Sequence, residues 1–144
     1  MPPNVRFINE NSIGLHEILQ DPKKLAEWLH DFKLKYPHPS LVRALGLNDN
    51  DLTDDDLVRL FIDLELSRFV NLRFIELNYN KITKLDLLLS LPSKPAIQIL
   101  HCGIRRASVM FHEMMSRGVD LEQCDRIIFL SKSYYPQVAA NESV

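Results

Sequence analysis

Between Leu72 and Ile82 the apolar side chains fall at Leu72, Ile75, Leu77 and Ile82, with Asn80 just ahead of the last. Ile75 and Leu77 alternate with Phe74, Glu76 and Asn78, so the stretch predicts a short strand with one apolar and one mixed face. An asparagine three residues past the strand has a chemical use. As the chain turns away, its amide can satisfy backbone groups that have lost a ladder partner. The same spacing recurs at Val42, Leu45, Leu47, Asn50 and Leu52. It recurs again at Ile97, Ile99, Cys102 and Ile104, with cysteine in the asparagine place, and more faintly at Cys124, Ile127 and Phe129, with Lys132 in that place. The leading strand positions Leu45, Ile75, Ile97 and Ile127 stand 30, 22 and 30 residues apart.

A different period separates these strands. Asp21-Pro22 predicts a helix start, with Asp21 capping free amides and Pro22 pre-set for the first turn. Leu25, Trp28, Leu29 and Phe32 then make one apolar stripe, which ends before the prolines of Tyr36 to Pro39. Thr53 to Asp56 resembles a capping box and opens a helix that buries Leu57, Leu60, Phe61 and Leu64. The next unit has only Leu85 to Leu89 before Leu91-Pro92, which predicts a single turn or an irregular segment and accounts for the shorter step. Arg105 to Arg117 predicts a helix with Met110, Phe111 and Met114 inward, closed by Gly118 in a left-handed conformation. Near the start, Ile8, Asn11 and Ile13 read as the close of a degenerate first unit, with Arg6 where an apolar side chain belongs.

This recurrence resembles the leucine-rich-repeat family in its long, helix-containing, ribonuclease-inhibitor-like form, over about residues 41–133. The steps straddle the roughly 20–29 residues of such repeats; Lys94 and Lys132 depart from the pattern. The resemblance implies an α/β fold. It would be a short solenoid with parallel strands on the concave face, helices on the convex face and an N-terminal helical cap. The expected division is a cap over 1–40, about four repeats over 41–136, and a small polar tail over 137–144. The family includes enzyme inhibitors, receptor ectodomains, ligase adaptors and effectors that bacteria translocate into host cells. It therefore implies protein binding without naming a partner.

Composition changes this picture little. A chain of 144 residues with 46% apolar and 25% charged side chains suits one domain. A net charge of −2 and a pI near 6.2 leave no general footprint for nucleic acid, and a polyanion would need a local patch. Cys102 and Cys124 make neither a disulfide framework nor a metal cluster and suit a reducing compartment. Met1 to Asn4 lacks the charged start and apolar run of a secretory signal, and no stretch reaches membrane-spanning length. The expectation is a cytoplasmic protein, or one in a host cytosol if it is a translocated effector, that needs no membrane, cofactor or metal.

The outward strand positions then supply the candidate site: Asn48, Phe74, Glu76, Asn78, Tyr79, Gln98, Leu100, His101, Arg126 and Ile128. Gly46, Glu76, Gln98 and Ile128 are expected to form one row, and Asn48, Asn78, Leu100 and Leu130 another. An exposed Phe74 calls for a cover, and a partner protein supplies one. The chemical alternatives are weaker. His101-Cys102 offers a nucleophile and a base, but no third group orients them, and Cys102 and Cys124 read as buried side chains. Asp49, Asp51, Asp54, Asp55 and Asp56 lack the glycine and closing glutamate of a calcium loop, and helix capping explains most of them. His112-Glu113 is not a zinc motif, because Ser116 stands where the second histidine belongs. Arg105 and Arg106 read as a solvated pair. The expected function is a non-catalytic protein-binding module, an inhibitor or regulator of a partner enzyme. A homodimer joined through the terminal strand edge and a cysteine hydrolase using Cys102 and His101 are the alternatives.

Overall fold

Short alternating strands with a return path of some twenty residues or more can pair side by side in parallel, because each connection is long enough to carry a helix back across the sheet. The computed structural model, which describes residues 6–99 and 107–128, has this arrangement. The strands are β1 (Phe7–Asn9), β2 (Ala44–Gly46), β3 (Phe74–Glu76), β4 (Ala96–Gln98) and β5 (Ile127–Ile128). They form one parallel sheet in chain order. Its register sets Ile8, Leu45, Ile75, Ile97 and Ile127 side by side, all of them buried.

Helical segments fill the returns: α1 (Leu15–Gln20), α2 (Pro22–Lys35), α3 (Asp54–Asp63), α4 (Asp86–Leu89), α5 (Ala107–Ser116) and α6 (Leu121–Cys124). Asp21 caps α2 by accepting from Lys23 N and Lys24 N at 3.0 and 3.3 Å. Thr53 and Asp56 form a reciprocal capping box at the start of α3. Of the single turn or irregular segment expected before Leu91, α4 is the single turn. The helices and the inward strand residues share one core, in which Leu25, Phe32, Leu57, Leu60, Met110 and Met114 are buried against the strands. The protein is thus an α/β fold built on a parallel sheet. No helix among the described residues is long and apolar enough to cross a membrane.

Strands of two or three residues make few ladder bonds, so the turns that follow them carry much of the order. The ladder continues past the strands, with Ser12 N donating to Asn48 O at 2.9 Å and Asp49 N to Asn78 O at 2.8 Å. Ser12, Asp49 and Tyr79 occupy the same place in successive turns and adopt left-handed φ values of 55°, 55° and 58°. Two buried asparagines, Asn50 and Asn80, sit behind these turns. Asn80 Oδ1 accepts from Asn50 N at 3.1 Å and Leu52 N at 3.0 Å, and its Nδ2 donates to Leu47 O at 3.0 Å. Asn50 does the same for the preceding turn, accepting from Ile13 N and Leu15 N and donating to Glu10 O. Each asparagine thus closes the turn of the neighbouring unit.

Three expectations need correction. The first unit is in a different register from the one read off Ile8, Asn11 and Ile13: Ile8 pairs with Leu45, not with the position of Leu47. Glu10 then takes the Leu47 place, and Arg6 lines up with Arg43 and Arg73 rather than standing for a lost apolar residue. The N-terminal region also contributes two helices, α1 and α2, where a degenerate first unit and one helix were expected. The aspartates after β2, finally, do more than cap. Asp49 accepts from Ser12 Oγ at 2.9 Å, and Asp54 accepts from Thr83 N at 2.8 Å and Lys84 N at 2.9 Å. Asp56, 2% exposed, also binds His16 Nδ1 at 2.6 Å and Gln20 Nε2 at 3.0 Å. These carboxylates tie neighbouring units together. The described part of the third long helix is Ala107–Ser116, with Gly118 at φ 96° beyond it.

Candidate functional site

The face of the sheet turned away from the helices carries the alternate strand positions, and the register sorts them into rows. One row is Phe7, Ala44, Phe74 and Ala96; the next is Asn9, Gly46, Glu76, Gln98 and Ile128. Asn11, Asn48 and Asn78 follow as a third row. Asn48 N donates to Asn11 Oδ1 at 2.8 Å, and Asn78 N donates to Asn48 Oδ1 at 2.8 Å. The free amide ends of the same side chains reach into the middle row. Asn48 Nδ2 donates to Glu76 Oε2 at 2.8 Å, and Asn78 Nδ2 to Gln98 Oε1 at 3.2 Å.

Asn48, Glu76, Asn78 and Gln98 therefore form a continuous polar strip whose side chains are already fixed by one another and by the backbone. Such a strip loses little conformational entropy on contact with a partner. Asn78 Oδ1 is buried without a hydrogen-bond partner among the described residues. Tyr79 stands at the end of the strip, 53% exposed and held in the left-handed turn.

Phe74 does not stand proud of the face. It is partly buried, with the small side chains of Ala44 and Ala96 as its register neighbours, so its own sheet supplies part of the cover assigned to a partner. Phe7, 45% exposed, lies over Gly46: a Cβ added there would sit 3.2 Å from Phe7 Cζ and 2.9 Å from Asn11 Oδ1. Arg126 is apart from the strip. Its guanidinium donates to Leu89 O in α4, and burial pulls its pKa below the usual arginine value. Ile128 is in register with Gln98. Leu100, His101, Cys102, Leu130 and Ser131 lie outside the described residues.

Cys124 is buried. Its thiol is pushed up by burial and further by the carboxylates of Asp120 and Asp125, the opposite of what a nucleophile needs. On the helical side, a cleft of about 250 Å³ is lined by Asp54, Lys84, Asp86 and Arg117. Arg117 grips Asp86 with two bonds of 2.7 and 2.8 Å, and this pairing holds the Asp86 carboxyl below the usual carboxylate range. The cleft is a charge pair joining α4 to the end of α5.

The reading of the sequence missed Asn9 and Asn11 on this face, because it placed the first unit two residues out of register. A usable signal was present in Val5-Arg6, Val42-Arg43 and Leu72-Arg73, an aliphatic–arginine pair just before each of the first three strands. No protein-family model, curated protein or solved structure matches this chain.

Proposed function

We propose that the chain is a short leucine-rich-repeat solenoid that docks on a partner protein through the outward face of its sheet, carries out no chemistry of its own, and acts as an inhibitor or regulator of a partner enzyme. The observation that carries this reading is the strip of Asn48, Glu76, Asn78 and Gln98. Its hydrogen bonds run from strand to strand and leave a pre-ordered polar surface beside Phe74 and Tyr79. Asparagines that close the turn of the neighbouring unit, and turns that repeat at Ser12, Asp49 and Tyr79, support the repeat architecture behind it. Affinity purification from the native source tests the site. Wild-type chain should recover a protein that a Glu76→Lys, Tyr79→Ser variant does not. Equal recovery of the same protein by both would remove the outward face as the docking surface.

A second reading, a homodimer joined edge to edge through β5, is supported by the place of β5 at the end of the strand order among the described residues, since an edge strand offers unpaired backbone groups. A solution mass that stays monomeric at all concentrations would dismiss it.

A further inference from the structure

We infer that the N-terminal ends of β1, β2 and β3 form a second recognition surface, on which Arg6, Arg43 and Arg73 take up an acidic and partly apolar segment of a partner protein. The inference goes beyond the outward-face reading and does not depend on it.

The three arginines each stand immediately before a strand, and the backbone locks them in line. Arg43 N donates to Arg6 O at 2.7 Å, and Arg73 N donates to Arg43 O at 2.7 Å. Neighbouring strands are about 4.8 Å apart, so three guanidinium groups are rooted within about 10 Å of one another. All three side chains are exposed. Among the described residues none of them takes part in an ion pair; the pairs there are His16–Asp56, Glu65–Arg68 and Asp86–Arg117. Like charges set opposite one another on adjacent strands oppose pairing, so the row is held against its own repulsion. A bound anion relieves that.

The surroundings repeat the message. Residues 36–43, 66–73 and 90–95, which lead into β2, β3 and β4, contain no Asp or Glu; they add Lys94 to Arg43 and Arg73, while Arg68 is already paired with Glu65 at 2.8 Å. Elsewhere carboxylates are plentiful, and in the whole chain the 19 Asp and Glu outnumber the 17 Lys and Arg. The basic surface stops where β5 begins, at Asp120, Glu122 and Asp125. An overall acidic chain thus leaves the segments that lead into three consecutive strands without a carboxylate of their own.

The same segments expose apolar side chains, and this decides between kinds of anion. Leu41 is 41% exposed and Val70 59% exposed, and Asn71 Nδ2 ties their two segments together by donating to Ser40 O at 2.7 Å. Nucleic acid makes little use of aliphatic groups set among its phosphate contacts, whereas a peptide that interleaves acidic and apolar residues uses both. Arginine's planar fork also grips carboxylates with two parallel bonds.

The test is fluorescence anisotropy with a short fluorescein-labelled peptide of interleaved Asp, Glu and Leu, alongside an oligothymidylate and inorganic polyphosphate. The peptide should bind, and Arg43→Glu with Arg73→Glu should weaken it by about tenfold or more, the size expected for lost charge-assisted bonds. Arg73→Gln alone should give a smaller loss and keeps the test available if the double variant does not fold. Lys24→Gln, which removes a positive charge from the exposed side of α2, should leave binding unchanged. Absence of peptide binding, indifference to both arginine variants, or an equal loss on Lys24→Gln would each overturn the inference. Tighter binding of oligothymidylate or polyphosphate than of the peptide would overturn it in favour of a phosphate ligand.

Discussion

Glu10 shows what a single side chain can hide. It occupies the inward place filled by Leu47, Leu77 and Ile99 in later units and is 8% exposed. A charged residue there is what made the first unit illegible, since a pattern search reads polar as outward. Burial pushes the Glu10 carboxyl above the usual carboxylate range, with Lys35 pulling in the other direction. Below the ordinary carboxylate pKa the group is neutral in both folded and unfolded chains. As pH rises, the unfolded chain ionises first and the folded chain resists, so this residue's contribution to stability falls toward neutral pH. Glu10→Gln should therefore be more stable than wild type at neutral pH, and the gain should fade below about pH 4. Urea midpoints at the two pH values measure it. A variant less stable at neutral pH would mean that attraction to Lys35 outweighs the cost of burial.

At the scale of elements, the turns hold strands that are too short to hold themselves. Asn80, 3% exposed, serves Asn50 N, Leu52 N and Leu47 O through three buried hydrogen bonds to the backbone of the neighbouring turn. Leaving a buried backbone group unsatisfied costs about 1–3 kcal/mol. Asn80→Ala should accordingly lower unfolding stability by about 3 kcal/mol, read from chemical denaturation. A loss under about 1 kcal/mol would show that the turn closes without it. Asn80→Asp, which keeps the acceptor and loses the donor, should fall between. The role of this asparagine was legible because it is local in form, lying three residues after an alternating strand. Helix starts were legible for the same reason: Asp21, Pro22, Thr53 and Asp56 act within one turn of themselves. By contrast, α1 begins after Gly14 at φ 69° with no side-chain cap, so it carried no such mark.

At the scale of the whole molecule, each strand among the described residues pairs only with its neighbours in chain order. β3 has partners on both sides that are themselves paired, while β1 and β5 each have one partner among the described residues. Hydrogen exchange should therefore be slowest at Ile75 and Leu77 and faster at β1 and β5, since local opening starts where fewest contacts must break. Equal protection along the sheet would mean that the chain opens only as a single unit. Read alone, the sequence determined the inward positions Leu45, Ile75, Ile97 and Ile127, the helix caps and the shortness of the return that holds α4, because alternation, capping and turn chemistry act between residues close along the chain. Only the tertiary structure decided what depends on residues about thirty positions apart. It set the true register of the first unit through Ile8 and Leu45, seated Phe74 between Ala44 and Ala96, and turned Arg126 to Leu89. It also drew Arg6, Arg43 and Arg73 into line. Side chains meet across strands according to register, and register is fixed by the packing of all units at once.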